Sequence, residues 1–347
     1  MQPEPLRIGV VGAGAFGQRH IAIAAKEPMC RIVAIADPAP AAIALAQRAG
    51  FEHYAVPDDM LDNGRLDAVI IATPNATHAP IGLACAARGI HMLVEKPIAE
   101  TVEAAAGLAR AAESAGVVLL VGHHRRYNPM LEKAREIVRS GRLGRLTAIA
   151  AMWMLQKPDD YFSVAWRTER PGGGPILINL IHDIDDLRYV CGEIESVAAM
   201  TGHATRALVV EDSAAISLRF VEGAIGTVTV SDCAAAPWSW EITTGESPLY
   251  PQRRENCYLI SGTEGSLTVP KLELWRYLGE KGWYAPLSRE TIDVASADPL
   301  ARQIRHFCRA IRGEETPRIS GTDATRTLAV ALAVTEASRT GRTINLD

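Results

Sequence analysis

The sequence has no strong excess of either charge, no long apolar run and few cysteines. Its 36 lysines and arginines nearly balance 40 aspartates and glutamates, leaving a net charge of −4. That balance argues against nucleic acid or an anionic membrane as the main partner, since both are held by clustered positive charge. No apolar stretch approaches the roughly 18 residues expected of a membrane span. The opening MQPEPLRIGVVGAG lacks the basic, apolar and cleavage segments of a secretory leader. The six cysteines, at 30, 85, 191, 233, 257 and 308, form no CxxC pair and no close cluster with histidine. They read as free thiols of a cytoplasmic protein, with no disulfide framework and no metal site. Repeats and low-complexity tracts are also missing.

What is present is two organisations in one chain of 347 residues, long enough for two cores. Over the first stretch, short apolar runs (RIGVVGAG, CRIVAIADP, DAVIIATP, HMLVEKP, VVLLVGHH) alternate with alanine-rich helical segments. Continuous apolar strands separated by helices predict a parallel sheet covered on both faces, hence a doubly wound Rossmann-type domain over residues 1–124. Beyond it the pattern changes to one connecting helix, a strand LTAIAAMWML, a helix through PILINLIHDIDDLRYVCG, and then strand upon strand. This predicts an α+β domain over 125–347 with a large open mixed or antiparallel sheet, whose last helix can pack back on the first domain. A bare sheet face needs covering, which points to a homodimer or homotetramer.

The first βα junction carries Gly12, Gly14 and Gly17, with Ala15 and Phe16 between them, and Asp37 closes the second strand about 20 residues on. Gly12 permits the tight turn, Gly14 lets backbone approach a pyrophosphate, and Gly17 lets helix and sheet pack closely. The helix N-terminus favours the anion, and Asp37 can accept from ribose hydroxyls. A carboxylate there, followed by Pro38 in place of a basic residue, favours NAD over NADP. Ligands of such sheets bind at the carboxyl ends of strands. Thr73, Pro74, Asn75, His78, Glu95 and Lys96 therefore join the candidate cofactor residues.

The ordered set GAGAFG, TPNATH, EKP and GGGPILINLIHDID resembles the Gfo/Idh/MocA family of oxidoreductases along essentially the whole chain. The resemblance implies nicotinamide-dependent hydride transfer with a cyclic polyol, a sugar, a sugar acid or a related diol. It assigns Lys96 to the reacting oxygen, and the chemistry agrees: an ammonium stabilises a developing alkoxide. Glu95 is expected at the nicotinamide ribose. His182 is the second catalytic candidate, as general acid/base. In the polyol dehydrogenases that the chain resembles, an aspartate stands four residues before this histidine; here that position is Ile178, with Asn179 beside it. Asn179 can orient the ring, and Asp185 or Asp186 can substitute from the same helix face, whereas Asp183 points elsewhere. Arg125, Tyr127, Asn128, Trp166, Arg167, Asn179, His182 and Asp185 are the substrate candidates, with Tyr161, Trp238 and Trp240 as further possible walls. Two alternatives stay open: a hydrolase or lyase that oxidises its sugar transiently, and a non-catalytic dinucleotide-binding regulator.

Overall fold

The computed structural model describes residues 4–346. The chain forms two compact units, Met1–His124 with Asp298–Leu328, and Arg125–Ala297 with Ala329–Asp347.

In the first unit the elements alternate as β1 (Leu6–Val11), α1 (Ala15–Ala24), β2 (Cys30–Ala36), α2 (Pro40–Ala49), β3 (Glu52–Tyr54), α3 (Pro57–Asn63), β4 (Ala68–Ile71), α4 (His78–Ala87), β5 (His91–Val94), α5 (Val102–Ser114) and β6 (Leu119–Val121). All six strands pair in parallel, in the order β3-β2-β1-β4-β5-β6. The apolar runs become strands because both faces are covered. Val69, Ile70 and Ile71 of β4 and Leu93 and Val94 of β5 are fully buried, each such side chain stabilising the fold by roughly 1.5–3 kcal/mol. The sequence pattern did not announce β3 and α3; β3 is three residues long, Glu-His-Tyr, and offers no apolar run to detect. Strand order reverses between β2 and β4 on either side of β1. The carboxyl ends of β1, β2, β4 and β5 therefore lie along one edge of one sheet, where doubly wound folds bind ligands.

The second unit contains α6 (Pro129–Arg139), β7 (Leu146–Met154), α7 (Ile181–Cys191), β8 (Ile194–Gly202), β9 (Ser213–Phe220), β10 (Ile225–Ser231), α8 (Trp240–Thr244), β11 (Tyr258–Gly262), β12 (Ser266–Val269), β13 (Glu273–Tyr277) and β14 (Leu287–Thr291). Near the end of the chain come α9 (Pro299–Ile311), which folds with the first unit, α10 (Gly321–Thr340), whose residues belong to both units, and β15 (Ile344–Asn345), which pairs with β8. Nine strands form one mixed sheet in the order β14-β13-β12-β11-β7-β10-β9-β8-β15. Only β7 and β10 pair in parallel. In β9 and β10 buried and exposed residues alternate, so one face is covered and the other, with Ser217, Thr227, Thr229 and Leu259, is open. The expected fold class holds for both units.

The helix expected through PILINLIHDIDDL is interrupted. Residues Ile176–Leu180 form a π turn, with the Ile181 N–H returning to the Ile176 carbonyl five residues back. Regular α periodicity, on which the comparison of Ile178 with His182 depended, does not run through this turn.

Candidate active site

The glycine cradle follows from backbone geometry. Gly12 has φ +89°, and a Cβ there would lie 2.6 Å from the Ala72 carbonyl oxygen. A Cβ on Gly17 would lie 1.9 Å from the Gly12 carbonyl oxygen, so α1 packs this closely only on glycine. A Cβ on Gly14 would meet nothing within 4 Å; space is open over the N-terminus of α1. Ala15 and Phe16 are exposed there, and the first turn carries no acidic side chain. Asp37 ties β2 to this cradle: its carboxylate accepts from the Ala13 N–H at 2.7 Å and from the Ala39 N–H at 2.8 Å. Open space, forward-pointing N–H groups and a fixed carboxylate at the rim fit the diphosphate and ribose of a dinucleotide.

Beyond β4, Thr73 and Asn75 are half-buried and Pro74 is exposed. His78 is not at the surface of this loop. It is buried, with Nδ1 2.7 Å from the Pro97 carbonyl and Nε2 2.8 Å from the Thr73 carbonyl. Burial pushes its pKa down, against the pull of the two carbonyls and Glu95. His78, expected at the cofactor, thus sits between the Pro97 and Thr73 carbonyls, and a neutral ring donates to one of them.

Glu95 is likewise turned inward. It is buried, its Oε1 is 2.7 Å from His20 Nε2, and Gly122 presses so close that a Cβ there would come within 2.9 Å of the carboxylate. Burial raises its pKa, but His20, His124 and Lys96 together outweigh burial and hold it below the usual range. Glu95, expected at the nicotinamide ribose, directs its Oε1 into this internal pairing. Lys96 is half-buried between two buried neighbours, and the Lys96–Pro97 peptide is cis. His20 was absent from the sequence expectations. Its signal was present: Gly17, His20, Ile21 and Ala24 form the buried stripe of α1, and a histidine in that stripe requires a partner.

In the second unit, α7 is buried on nearly every side although it carries His182, Asp183, Asp185, Asp186 and Arg188. Buried charges must be paired, and they are. Asp185 holds Arg126 through two hydrogen bonds of 2.6 and 2.7 Å. Arg125 sits 3.3 Å from Asp183, 3.2 Å from Asp186 and 2.9 Å from Glu241, over the ring of Trp240. Asn128 caps α6 by accepting from the Met130 N–H and donates to Glu246. Tyr127 is buried. Arg125, Tyr127, Asn128 and Asp185 are the residues expected at the substrate; Arg125, Asn128 and Asp185 are engaged here by partners of the second unit. Asp183, expected to point away from the chemistry, accepts from the Tyr258 hydroxyl at 2.5 Å.

Asn179 lies in the π turn, half-buried, and its side-chain Oδ1 has no hydrogen-bond partner among the described residues. His182 is 7% exposed. Trp166 is exposed, whereas Trp240 is buried with its indole N–H on Glu246. Arg167 stacks over Tyr161 at 4.2 Å and donates to the Tyr161 carbonyl. Two features lay outside the sequence expectations. Glu211 accepts from the Ile176 N–H at 3.0 Å, at the start of the π turn. Lys157 lies 3.6 Å from Asp232, which also holds Arg206. Among the described residues, no cluster of His, Cys, Asp or Glu is arranged to hold a metal ion, and no helix is long and apolar enough to cross a membrane.

Comparison with known proteins identifies the family and the fold. Residues 6–123 match the model described as "Oxidoreductase family, NAD-binding Rossmann fold", and residues 131–268 match the GFO/IDH/MocA C-terminal domain. The chain is 30% identical to a 1,5-anhydro-D-fructose reductase of Ensifer adhaerens, over 84% of this chain and 83% of that protein. It is 27% identical to the scyllo-inositol 2-dehydrogenase (NAD(+)) of Bacillus subtilis (strain 168), over 99% and 96%. A match to the rhizopine catabolism protein MocA of Rhizobium meliloti is 36% identical but spans only 54% of this chain and 57% of that protein. Among solved structures, the WlbA dehydrogenase of Bordetella pertussis, in complex with NADH and UDP-GlcNAcA, superposes with a TM-score of 0.83 at 26% identity, covering 99% of both chains.

Proposed function

The chain belongs to the Gfo/Idh/MocA oxidoreductase family, and from that premise we propose that it is a nicotinamide-dependent dehydrogenase of a sugar- or polyol-like secondary alcohol. The observation that carries this proposal is a single sheet edge. There the cradle of Gly12, Gly14 and Gly17, the Asp37 carboxylate, the Thr73–Asn75 loop and Lys96 all follow the carboxyl ends of adjacent parallel strands.

The backbone of Gly14, Ala15 and Phe16 would hold the diphosphate at the start of α1, and Asp37 would take ribose hydroxyls. Its negative charge repels a 2′-phosphate, which favours NAD over NADP. The bound nicotinamide supplies the carbon that accepts or donates the hydride. Lys96 places its ammonium at the substrate oxygen and stabilises negative charge developing there as the proton leaves. His182 takes or returns that proton. Asn179 accepts from a substrate hydroxyl through Oδ1, and Trp166 and Arg167 border the substrate. The relatives named for inositol and anhydrofructose support a polyhydroxylated ring as substrate class. The open face of the nine-stranded sheet, with Leu259 and Ile225 exposed on it, supports self-association through that face.

The test is a panel of polyols, sugars, sugar acids and cyclic diols with NAD and NADP, read as absorbance of the reduced cofactor. The expected result is steady accumulation with at least one member, abolished in Lys96→Met and in His182→Ala. Flat traces with every member, alongside tight dinucleotide binding, would reject the dehydrogenase and favour internal redox recycling or a regulatory binder.

A further inference from the structure

Lys96 has a fixed neighbour on each side. Before it, the Glu95 carboxylate is 2.7 Å from Nε2 of His20, and the two side chains are 8% and 0% exposed. After it, the Pro97 carbonyl is 2.7 Å from Nδ1 of His78. From Met92 to Ala99 every residue but Lys96 is buried. The lysine thus emerges from a segment pinned at both flanks by a buried imidazole.

The two imidazoles come from the elements assigned to the dinucleotide. His20 lies on α1, three residues beyond Gly17 of the cradle. His78 opens α4, directly after the Thr73–Asn75 loop, and its second nitrogen is 2.8 Å from the Thr73 carbonyl. Both ring nitrogens of His78 face carbonyl oxygens, so each can donate only when it carries a proton. Glu95 further accepts from the Lys96 backbone N–H at 3.3 Å.

We propose that His20 and His78 are positioning residues that fix the backbone of Lys96 and link its placement to the cradle and to the Thr73–Asn75 loop. A lysine side chain has four rotatable carbons, and electrostatic stabilisation of a developing charge depends on a preorganised donor. Anchoring the backbone on both sides leaves only the stem to be ordered by substrate. Displacing a catalytic group by about 1 Å can lower the rate on the order of a hundredfold. This proposal rests on the assignment of Lys96 to the reacting oxygen.

The test uses the full-length protein with His20→Phe and His78→Phe, which keep a ring, and with His20→Gln and His78→Gln, which keep a donor. kcat, substrate KM, dinucleotide affinity by tryptophan fluorescence, and the pH profile of kcat are measured for each. The groups facing the two anchors are Glu95, Lys96 and His124, so the alkaline limb is compared with that of Glu95→Gln. Expected are a fall in kcat of about tenfold to a hundredfold in the Phe variants, a displaced alkaline limb, near-native dinucleotide affinity, and partial recovery in the Gln variants. Wild-type kcat and pH profile in both Phe variants would overturn the proposal, as would a loss confined to dinucleotide affinity. If the Phe variants do not fold, His20→Leu and His78→Leu, which also lack a donor, decide by the same criteria. Lys96→Met separates the two levels. If it keeps full activity, the assignment of the lysine fails; if it is inactive while the histidine variants are unchanged, only the positioning role fails.

Discussion

Tyr258 and Asp183 are joined by a hydrogen bond of 2.5 Å within the second unit, and Asp186 lies 2.9 Å from the same hydroxyl. A tyrosine hydroxyl has one proton and can donate to only one carboxylate. The second contact is a hydrogen bond only if that carboxyl keeps its own proton and donates to the tyrosine oxygen. Burial agrees: it pushes Asp183 up to about 6 and Asp186 well above its ordinary value, against the pull of Arg125.

This has a signed consequence for stability. The folded state holds a proton on Asp183 up to about pH 6, whereas the unfolded chain releases it near pH 4. Between those values the unfolded state binds fewer protons, so this group's contribution falls as pH rises. Urea unfolding of the wild type and of Asp183→Asn from pH 4 to pH 7 should show the variant gaining stability relative to the wild type up to about pH 6, then levelling. A constant difference across that range would contradict the assignment.

Arg126 and Asp185 form a two-point pair with both side chains buried. Arg126→Leu removes both hydrogen bonds that the guanidinium donates to the buried Asp185 carboxylate. Unfolding free energy should drop by about 3–5 kcal/mol, read as a lower urea midpoint. A change within error would mean that Asp185 reaches solvent or another cation.

Lys96 is half-buried and lies outside the packed core. Lys96→Met should therefore leave the melting temperature nearly unchanged while lowering kcat/KM by about a hundredfold to a thousandfold, the range found for losing one preorganised electrostatic donor. Paired melting and steady-state measurements check both halves of this expectation.

Asn179 offers an acceptor oxygen that no described side chain or backbone group uses. Asn179→Ala should raise substrate KM about tenfold, the equivalent of one neutral hydrogen bond, without altering dinucleotide affinity. Equal changes in both quantities would place the residue at the cofactor instead.

Asp37 accepts from the Ala13 and Ala39 N–H groups of the cradle, and under the proposed function its charge repels a 2′-phosphate. Asp37→Ser combined with Pro38→Arg should lower the ratio of kcat/KM with NAD to that with NADP by at least about tenfold. Separate KM measurements with each cofactor provide the check, and an unchanged ratio would remove Asp37 from cofactor selection.

The parallel sheet, the glycine cradle with Asp37 and the position of Lys96 at the mouth of β5 are all legible in consecutive residues. These features are local: strand, turn and helix are written in consecutive residues, and strand ends follow from the apolar runs. Long-range packing set where the aspartates of α7 and the guanidinium groups of Arg125 and Arg126 went. The carboxylates that hold Arg125 and Arg126 lie 59 to 116 residues away, and no periodicity specifies such pairings. The π turn at Ile176–Leu180 escaped for a related reason, since its Glu211 cap comes from another part of the chain. Glu95 and His78 carried a visible chemical signature but an ambiguous direction. Whether a polar side chain at a strand end faces ligand or interior depends on what packs behind it, and here His20 and the Pro97 and Thr73 carbonyls supply the inward partners.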